Sequence, residues 1–284
     1  MTRFGPSGNS NSFYAEGNKR SEQVFSWLAK KGLNAYEYSF GRGIQISDEK
    51  ALIMANESLK NNVQISVHAP YYINFANPSP EMIQKSIAYL INSAKKLRLL
   101  GGNRVIFHPA SVGKLNRDDA ISLCHKNFDL LLSAIYENDM QDLYFCPETM
   151  GKINQIGDEM EIAQLCAKDK CLLPTIDFGH LNARTYGALK TESDFERVIE
   201  SVANVVGESK TKVMHVHFSQ IEYSKGGEVK HLTFADEVFG PSHKAFLNVV
   251  NKLKITPVVI CESDGTQTED AKTMMDYYNS ITIR

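Results

Sequence analysis

The chain has 284 residues, 43% hydrophobic and 23% charged, with 31 Lys and Arg against 33 Asp and Glu for a formal net charge of −2. That composition excludes a disordered or fibrous chain and a stapled miniprotein, and the balanced charge excludes a DNA coat that works by bulk basicity. Five scattered cysteines with no zinc-ribbon spacing read as reduced structural thiols. Met1 to Glu16 has no apolar core of signal-peptide length, and no run reaches the roughly 18 apolar residues of a membrane span. The expectation is a cytoplasmic monomer.

In chain order, β-rich runs cover Arg3 to Gly5, Ala35 to Phe40, Gln64 to His68, Arg104 to His108, Leu143 to Glu148, Leu173 to Asp177, Lys212 to Phe218 and Pro257 to Glu262. Between them lie amphipathic segments. From Met82 to Leu100, residues Ile83, Ile87, Leu90, Ile91, Ala94 and Leu97 fall on one helical face, and Asp118 to Tyr136, Glu192 to Val206 and Ser242 to Leu253 follow the same pattern. Eight apolar strands alternating with helices imply a parallel sheet covered by helices. Eight repeats favour closure into an α/β (β/α)8 barrel over an open doubly wound sheet. No Pro-, Ser- or Gly-rich linker divides the chain, so 1–284 is expected to be one domain. The GxGxxG and GxxxxGK[ST] loops of nucleotide-binding open sheets are missing.

Each of six strands ends on a potential metal ligand: His68, His108, Glu148, Asp177, His217 and Glu262. Successive ligands stand 29 to 45 residues apart, about one strand-plus-helix unit. In a barrel these ends converge on the rim that carries active sites. A lone His at a strand end is usually a satisfied rim residue, and a lone carboxylate there is often a helix N-cap. Three of each at equivalent points would bury a costly polarity unless a cation sits among them. Imidazole and carboxylate without thiolate suit zinc, manganese or iron(II) rather than calcium. Six ligands exceed one tetrahedral zinc, which points to two or more ions and to phosphoester hydrolysis. His180, three residues after Asp177, and His231, in the stretch Gln220 to Gly240, are further candidate ligands. His215 lies two residues deeper than His217 and suits an inner supporting role. His125 and His243 read as ordinary helix residues.

The runs His68-Ala-Pro-Tyr71-Tyr72-Ile-Asn74, Phe107-His108-Pro109, Pro147-Glu148-Thr149, Ile176-Asp177-Phe-Gly-His180, His217-Phe-Ser and Cys261-Glu262 together resemble the endonuclease IV family of apurinic/apyrimidinic endonucleases. That family sits among the xylose isomerase-like TIM barrels, and the likeness covers nearly the whole chain in order. It implies a DNA repair endonuclease that cleaves 5′ to abasic sites in double-stranded DNA through a metal-bridging hydroxide. It also implies two or three Zn2+ ions, with Mn2+ as the alternative. His68, His108 and Glu148 would hold one ion. Glu148 would bridge to a second held by Asp177, His217 and Glu262, and His180 with His231 would hold a third. Glu148 and Glu262 would serve catalysis, while Arg42 and Tyr71 lie where the family contacts DNA. Lys114, Lys152, Arg184, Lys225 and Lys230 fall on other rim loops.

The chain departs from the family at the third ion. Val229-Lys230-His231 stands where the family has Asp-x-His, with Glu228 one residue off and Asp236 further along. Phe218-Ser219-Gln220 replaces the usual Leu-Asn-Asp, and Phe4-Gly5-Pro6-Ser7 replaces a histidine-containing opening. These mark a divergent member. The quartet Glu148, Asp177, His217 and Glu262 also resembles one-metal sugar isomerases and epimerases of the xylose isomerase-like group, for which His68, His108 and His180 would be surplus. A catalytically silent binding module is the third alternative, and intact ligands at six strand ends argue against it.

Overall fold

A computed structural model describes residues 1–282, so Ile283 and Arg284 of the expected domain span lie outside the described residues. Eight parallel strands form the barrel: β1 (Arg3–Pro6), β2 (Ala35–Ser39), β3 (Gln64–His68), β4 (Arg104–Phe107), β5 (Tyr144–Pro147), β6 (Thr175–Asp177), β7 (His215–Phe218) and β8 (Val258–Cys261). β2 through β5 pair in sequence, and β6, β7, β8 and β1 pair in sequence. Two seams close the ring. Ser7 bridges Glu37 between β1 and β2, and Glu148 bridges Thr175 between β5 and β6. Gly5 permits the first seam, because a Cβ there would sit 1.8 Å from the Ala35 carbonyl oxygen. The expected (β/α)8 barrel is the fold.

The helices follow the expected pattern with shifted ends. Pro80–Leu99 starts with Pro80 at its first turn behind Ser79, and buries Ile83, Ile87, Leu90, Ile91, Ala94 and Leu97 against the sheet. Asn116 caps Arg117–Glu137 by accepting from the Asp119 N–H. Strand β7 begins at His215 rather than Lys212, because Glu208–Lys212 takes a helical turn. Strand β6 begins at Thr175, just after Pro174, which has no N–H to give a ladder. Among the described residues no helix is long and apolar enough to cross a membrane.

Alternation along each strand sorts the barrel interior into layers. At the floor and middle, small apolar groups fill the interior: Ala35, Val258 and Ile260 on one side, and Ile106, Cys146 and Leu173 on the other. The middle layer also holds Glu37, Ser66 and His215, all buried. Every candidate ligand at a strand end lies in the layer above, at the C-terminal mouth. All five cysteines are buried and free.

Candidate metal centre

The strand ends bring three clusters together at the mouth, above a fourth group of Glu37, His215 and His217, the ligand atoms of each within 4.8 Å of one another. The first is His68, His108 and Glu148; the second Glu148, Asp177, His217 and Glu262; the third His180, Glu228 and His231. Glu148 joins the first two. Its Oε2 lies 3.2 Å from His68 Nε2 and 3.3 Å from His108 Nε2, while its Oε1 lies 2.8 Å from His217 Nδ1 and 3.4 Å from His180 Nδ1. Glu262 Oε1 stands 3.6 Å from His217 Nδ1. His68, His108, His180, Glu228, His231 and Glu262 line a cavity of about 350 Å³, with Tyr71, Met150, Lys152 and Gln155 completing its wall. A larger groove, about 850 Å³, opens beside Thr211, Lys212 and Ile255 at the opposite end of the barrel and gathers none of these groups.

Ring orientations are fixed from outside the clusters. His68 Nδ1 donates to the Ala69 carbonyl at 2.8 Å, and His180 Nδ1 donates to the Thr149 carbonyl at 2.9 Å. A carbonyl can only accept, so each ring is fixed with its Nε2 turned into its cluster, toward Glu148 Oε2 for His68 and Glu228 Oε2 for His180. His231 Nδ1 pairs with Ser219 Oγ at 2.9 Å, which turns its Nε2 toward Glu228. Asp177 Oδ1 accepts from the His180 N–H at 2.7 Å as the N-cap of Phe178–Arg184, whereas its Oδ2 is buried with no hydrogen-bond partner. A buried carboxylate oxygen with no hydrogen bond, among imidazoles and further carboxylates, is what a divalent cation satisfies.

Charge within the site is mutually enforced. Burial alone would raise the Glu148 pKa, but His217, His108 and His180 hold its carboxyl well below the usual range. Burial works against charged His217, yet Glu262, Glu37 and Glu148 outweigh it and hold the imidazole well above its ordinary value. His180 is raised in the same way, with Asp177, Glu228 and Glu148 overcoming burial. Burial pushes Asp177 up. Without a cation, protons on these rings balance the carboxylates. A divalent ion would displace them.

The third cluster has a carboxylate after all. His231 is not in an open loop but on the second strand of an antiparallel hairpin, Ile221–Ser224 with Gly227–His231. In a regular strand, residues three apart point to opposite faces. Here the register shifts between Glu222 and Tyr223: Glu222 pairs with Lys230 and Tyr223 with Glu228, so Val229 has no opposite number. That β-bulge turns Glu228 onto the face of His231. Glu228 Oε2 lies 3.5 Å from His180 Nε2, and Oε1 lies 3.9 Å from His231 Nε2. The hairpin is also stitched to the loop after β5, with the Glu228 N–H donating to the Gly151 carbonyl and the Ile153 N–H to the Gly226 carbonyl. Gly227 permits that approach, since its φ is +87° and a Cβ would meet the Gly151 carbonyl oxygen at 2.2 Å. Asp236 does not line this cavity and accepts from the Val238 and Phe239 N–H groups of its own turn.

Tyr71 is half-exposed and covers the first cluster, its ring centroid 5.2 Å from His68 and 5.3 Å from His108. Arg42 is exposed on the turn after β2, outside the cavity wall, and that turn is tied to Tyr71 through the Tyr71 N–H and the Gly41 carbonyl. Lys152 lines the cavity. Arg184 is spent internally, donating to the Met150, Lys152 and Gln155 carbonyls and so holding the loop after β5. Lys230 pairs with Glu222 across the hairpin. His125 and His243 fall on helices, as expected.

Glu37 is the residue the sequence concealed. It is fully buried beneath the second cluster, with Oε1 2.9 Å from His217 Nε2 and Oε2 3.1 Å from His215 Nε2. Ser66 Oγ donates to Oε2 at 2.8 Å. The only signal was a lone acid at an inward position of Ala-Tyr-Glu-Tyr-Ser, the segment that forms β2.

A model of the xylose isomerase-like TIM barrel family matches residues 25–281. The chain belongs to that family. An uncharacterised protein of Methanocaldococcus jannaschii is 32% identical over 254 residues, covering 89% of this chain and 90% of that protein. A probable endonuclease 4 of Aster yellows witches'-broom phytoplasma is 27% identical over 179 residues, or 61% of this chain and 59% of that relative's length. The crystal structure of a D-tagatose 3-epimerase-like protein superposes with a TM-score of 0.73 at 16% identity, covering 99% of this chain and 98% of that one, a likeness that shows the fold alone. This barrel, with clusters able to coordinate divalent metal, is thus similar in sequence to probable endonucleases 4 and similar in fold alone to sugar epimerases.

Proposed function

We propose that the chain is a metal-dependent phosphodiesterase that cleaves the DNA backbone 5′ to abasic sites. The observation that carries this reading is the third cluster, His180, Glu228 and His231, standing beside the other two. A one-metal sugar epimerase has no use for it, and the surplus rings His68 and His108 point the same way. In this reading His68, His108 and Glu148 hold one ion, Glu148, Asp177, His217 and Glu262 a second, and His180, Glu228 and His231 a third. Zinc is the ion the donor set favours, with manganese the substitute.

Bound divalent ions supply Lewis acidity here, lowering the pKa of water and neutralising charge on phosphoryl oxygens. The chain's own residues do the rest. Glu148, its two oxygens turned to different rings, fixes the spacing of two sites. Glu262 lines the cavity, and its oxygen turned away from His217 can take the proton of an attacking water. Lys152, on the same wall, presents an ammonium to a phosphate. Tyr71 offers a partly exposed ring for the gap left by a missing base, and Arg42 a guanidinium for the backbone beside it.

The second reading is a ketose epimerase built on the quartet Glu148, Asp177, His217 and Glu262, which is complete by itself. Metal content per chain, measured beside incision of a duplex carrying one abasic-site analogue, separates the two. Two to three ions with a nick 5′ to the lesion support the endonuclease. One ion, an intact duplex and exchange of a ketose carbon-bound proton would replace it with the epimerase.

A further inference from the structure

Four of the cluster histidines have their outward nitrogen met by a partner, and one partner differs in kind. His68 and His180 meet backbone carbonyls and His231 meets a hydroxyl, whereas His217 meets the carboxylate of Glu37. A neutral acceptor is enough to orient a ring. Burying a full charge for that purpose costs several kcal/mol of desolvation unless something returns it.

Among the described residues no Lys or Arg pairs with Glu37. Its contacts are Ser66, His215 and His217. The nearest cation in the chain of contacts is Arg104, whose Nη1 lies 3.5 Å from His215 Nδ1 and which also donates to the Met214 and Val213 carbonyls. Arg104 keeps His215 Nδ1 occupied as an acceptor, which leaves the proton on His215 Nε2, 3.1 Å from Oε2 but out of line for a hydrogen bond, while Ser66 donates to Oε2. Oε1 is then left for His217 alone. Neither Glu37 Oε1 nor His217 Nε2 has an in-line hydrogen bond to any described residue, so each has only the other, 2.9 Å away. Glu37 therefore needs positive charge on His217, and the source of it lies on the other side of that ring, where Nδ1 faces Glu148 and Glu262.

We propose that Glu37 is a positioning residue that acts through His217: it holds the proton on Nε2, presents Nδ1 to the second metal site, and makes this imidazole a stronger donor than the site's other histidines. This rests on the reading of the second cluster as a metal site. Carboxylate–histidine–metal relays of this kind are worth 10- to 100-fold in metal affinity, about the range expected here.

The test uses full-length E37Q and wild-type protein, stripped with chelator and titrated with zinc against a chromophoric competitor. Wild type binding its ions and E37Q binding one of them 10- to 100-fold more weakly, the others unchanged, is the expected result. In the zinc-loaded wild type the His217 imidazole should also give the nitrogen resonance of a ring protonated at Nε2 in histidine-labelled protein, moved in E37Q. A merely structural role would lower the melting temperature of the metal-free protein and leave zinc affinity and that resonance unchanged, which overturns the proposal. Should E37Q not fold, S66A, which removes one hydrogen bond to Glu37, gives a smaller weakening of the same ion; equal affinity there overturns the proposal as well. A wild-type protein that binds no zinc overturns the metal-site reading itself, a failure distinct from wild-type binding that E37Q does not disturb.

Discussion

Replacing Glu228 with Ala tests the β-bulge directly. The side chain is 16% exposed and faces two imidazole Nε2 atoms, so removing it leaves a two-histidine site. One unit pair at 4 Å with an effective dielectric of 20 is worth about 4 kcal/mol, so a carboxylate against a divalent ion has a gross attraction of about 8 kcal/mol. Desolvation of a largely buried carboxylate consumes more than half of this, leaving about 3 kcal/mol. That corresponds to roughly 100-fold in affinity for one ion. Equilibrium dialysis followed by elemental analysis should therefore show E228A short of one ion per chain at zinc concentrations that saturate the wild type. D236A should keep the full number, because Asp236 serves only its own turn. An E228A protein that retains every ion with wild-type affinity refutes the assignment of Glu228 and the role given to the bulge.

Other predictions concern charge. His180 and His217 have raised folded-state pKa values, so the stability they contribute is fully present below the unfolded value of about 6.5 and is lost as pH rises through the folded values. The chelator-stripped protein should melt at progressively lower temperature above about pH 6.5, and the rise in melting temperature on adding zinc should grow with pH; a stripped protein whose melting temperature is flat or climbs over that window contradicts the sign. Glu148→Gln removes the carboxylate shared by two clusters and should abolish incision while costing more than one ion, read by elemental analysis; full activity would sink the mechanism. Cys166→Ser, at a buried thiol away from the clusters, should leave both incision and metal content unchanged.

The strand ends were legible because barrel topology does the work of assembly. Six apolar runs ending in His, Asp or Glu need only close into a ring for their last side chains to meet, and closure brings His68, His108, Glu148, Asp177, His217 and Glu262 into two clusters. Glu228 was visible only as an acid one residue out of place, for a definable reason. The spacing of Glu228 and His231 puts them on opposite faces of any regular strand, and only the unpaired Val229 reverses this. A bulge depends on how two strands align, which a single strand's sequence does not state. Glu37 was hidden by its neighbours. Tyr36 and Tyr38 flank it in a run read simply as a strand, and nothing local showed that the polar position faces the barrel axis opposite His215 and His217. Strand boundaries at Pro174 and Lys212 shifted because a missing N–H and a helical turn act below the scale of the apolar pattern.

The number of ions bears on the class of substrate through simple charge balance. One divalent ion in the quartet faces three carboxylates, Glu148, Asp177 and Glu262, and leaves a net negative site that repels a phosphodiester and accepts a neutral sugar. Three divalent ions across all the clusters face four carboxylates, with Glu228 now included, and leave the mouth net positive even when Glu37 beneath is counted. The same barrel therefore changes sign at its mouth between one ion and three. With the chain as a whole near neutral, this local sign is what would draw a phosphate into the cavity of the proposed endonuclease. Inorganic phosphate should accordingly bind the zinc-loaded wild type, displaced by rising chloride, and bind E228A at least about 10-fold more weakly, since about 1.4 kcal/mol is the least that losing one nearby dication should cost. Isothermal titration at fixed zinc reads both affinities. Equal phosphate affinity in the two proteins would show that Glu228 and its ion do not set the charge of the mouth, and would return the quartet to consideration as the whole of the active site.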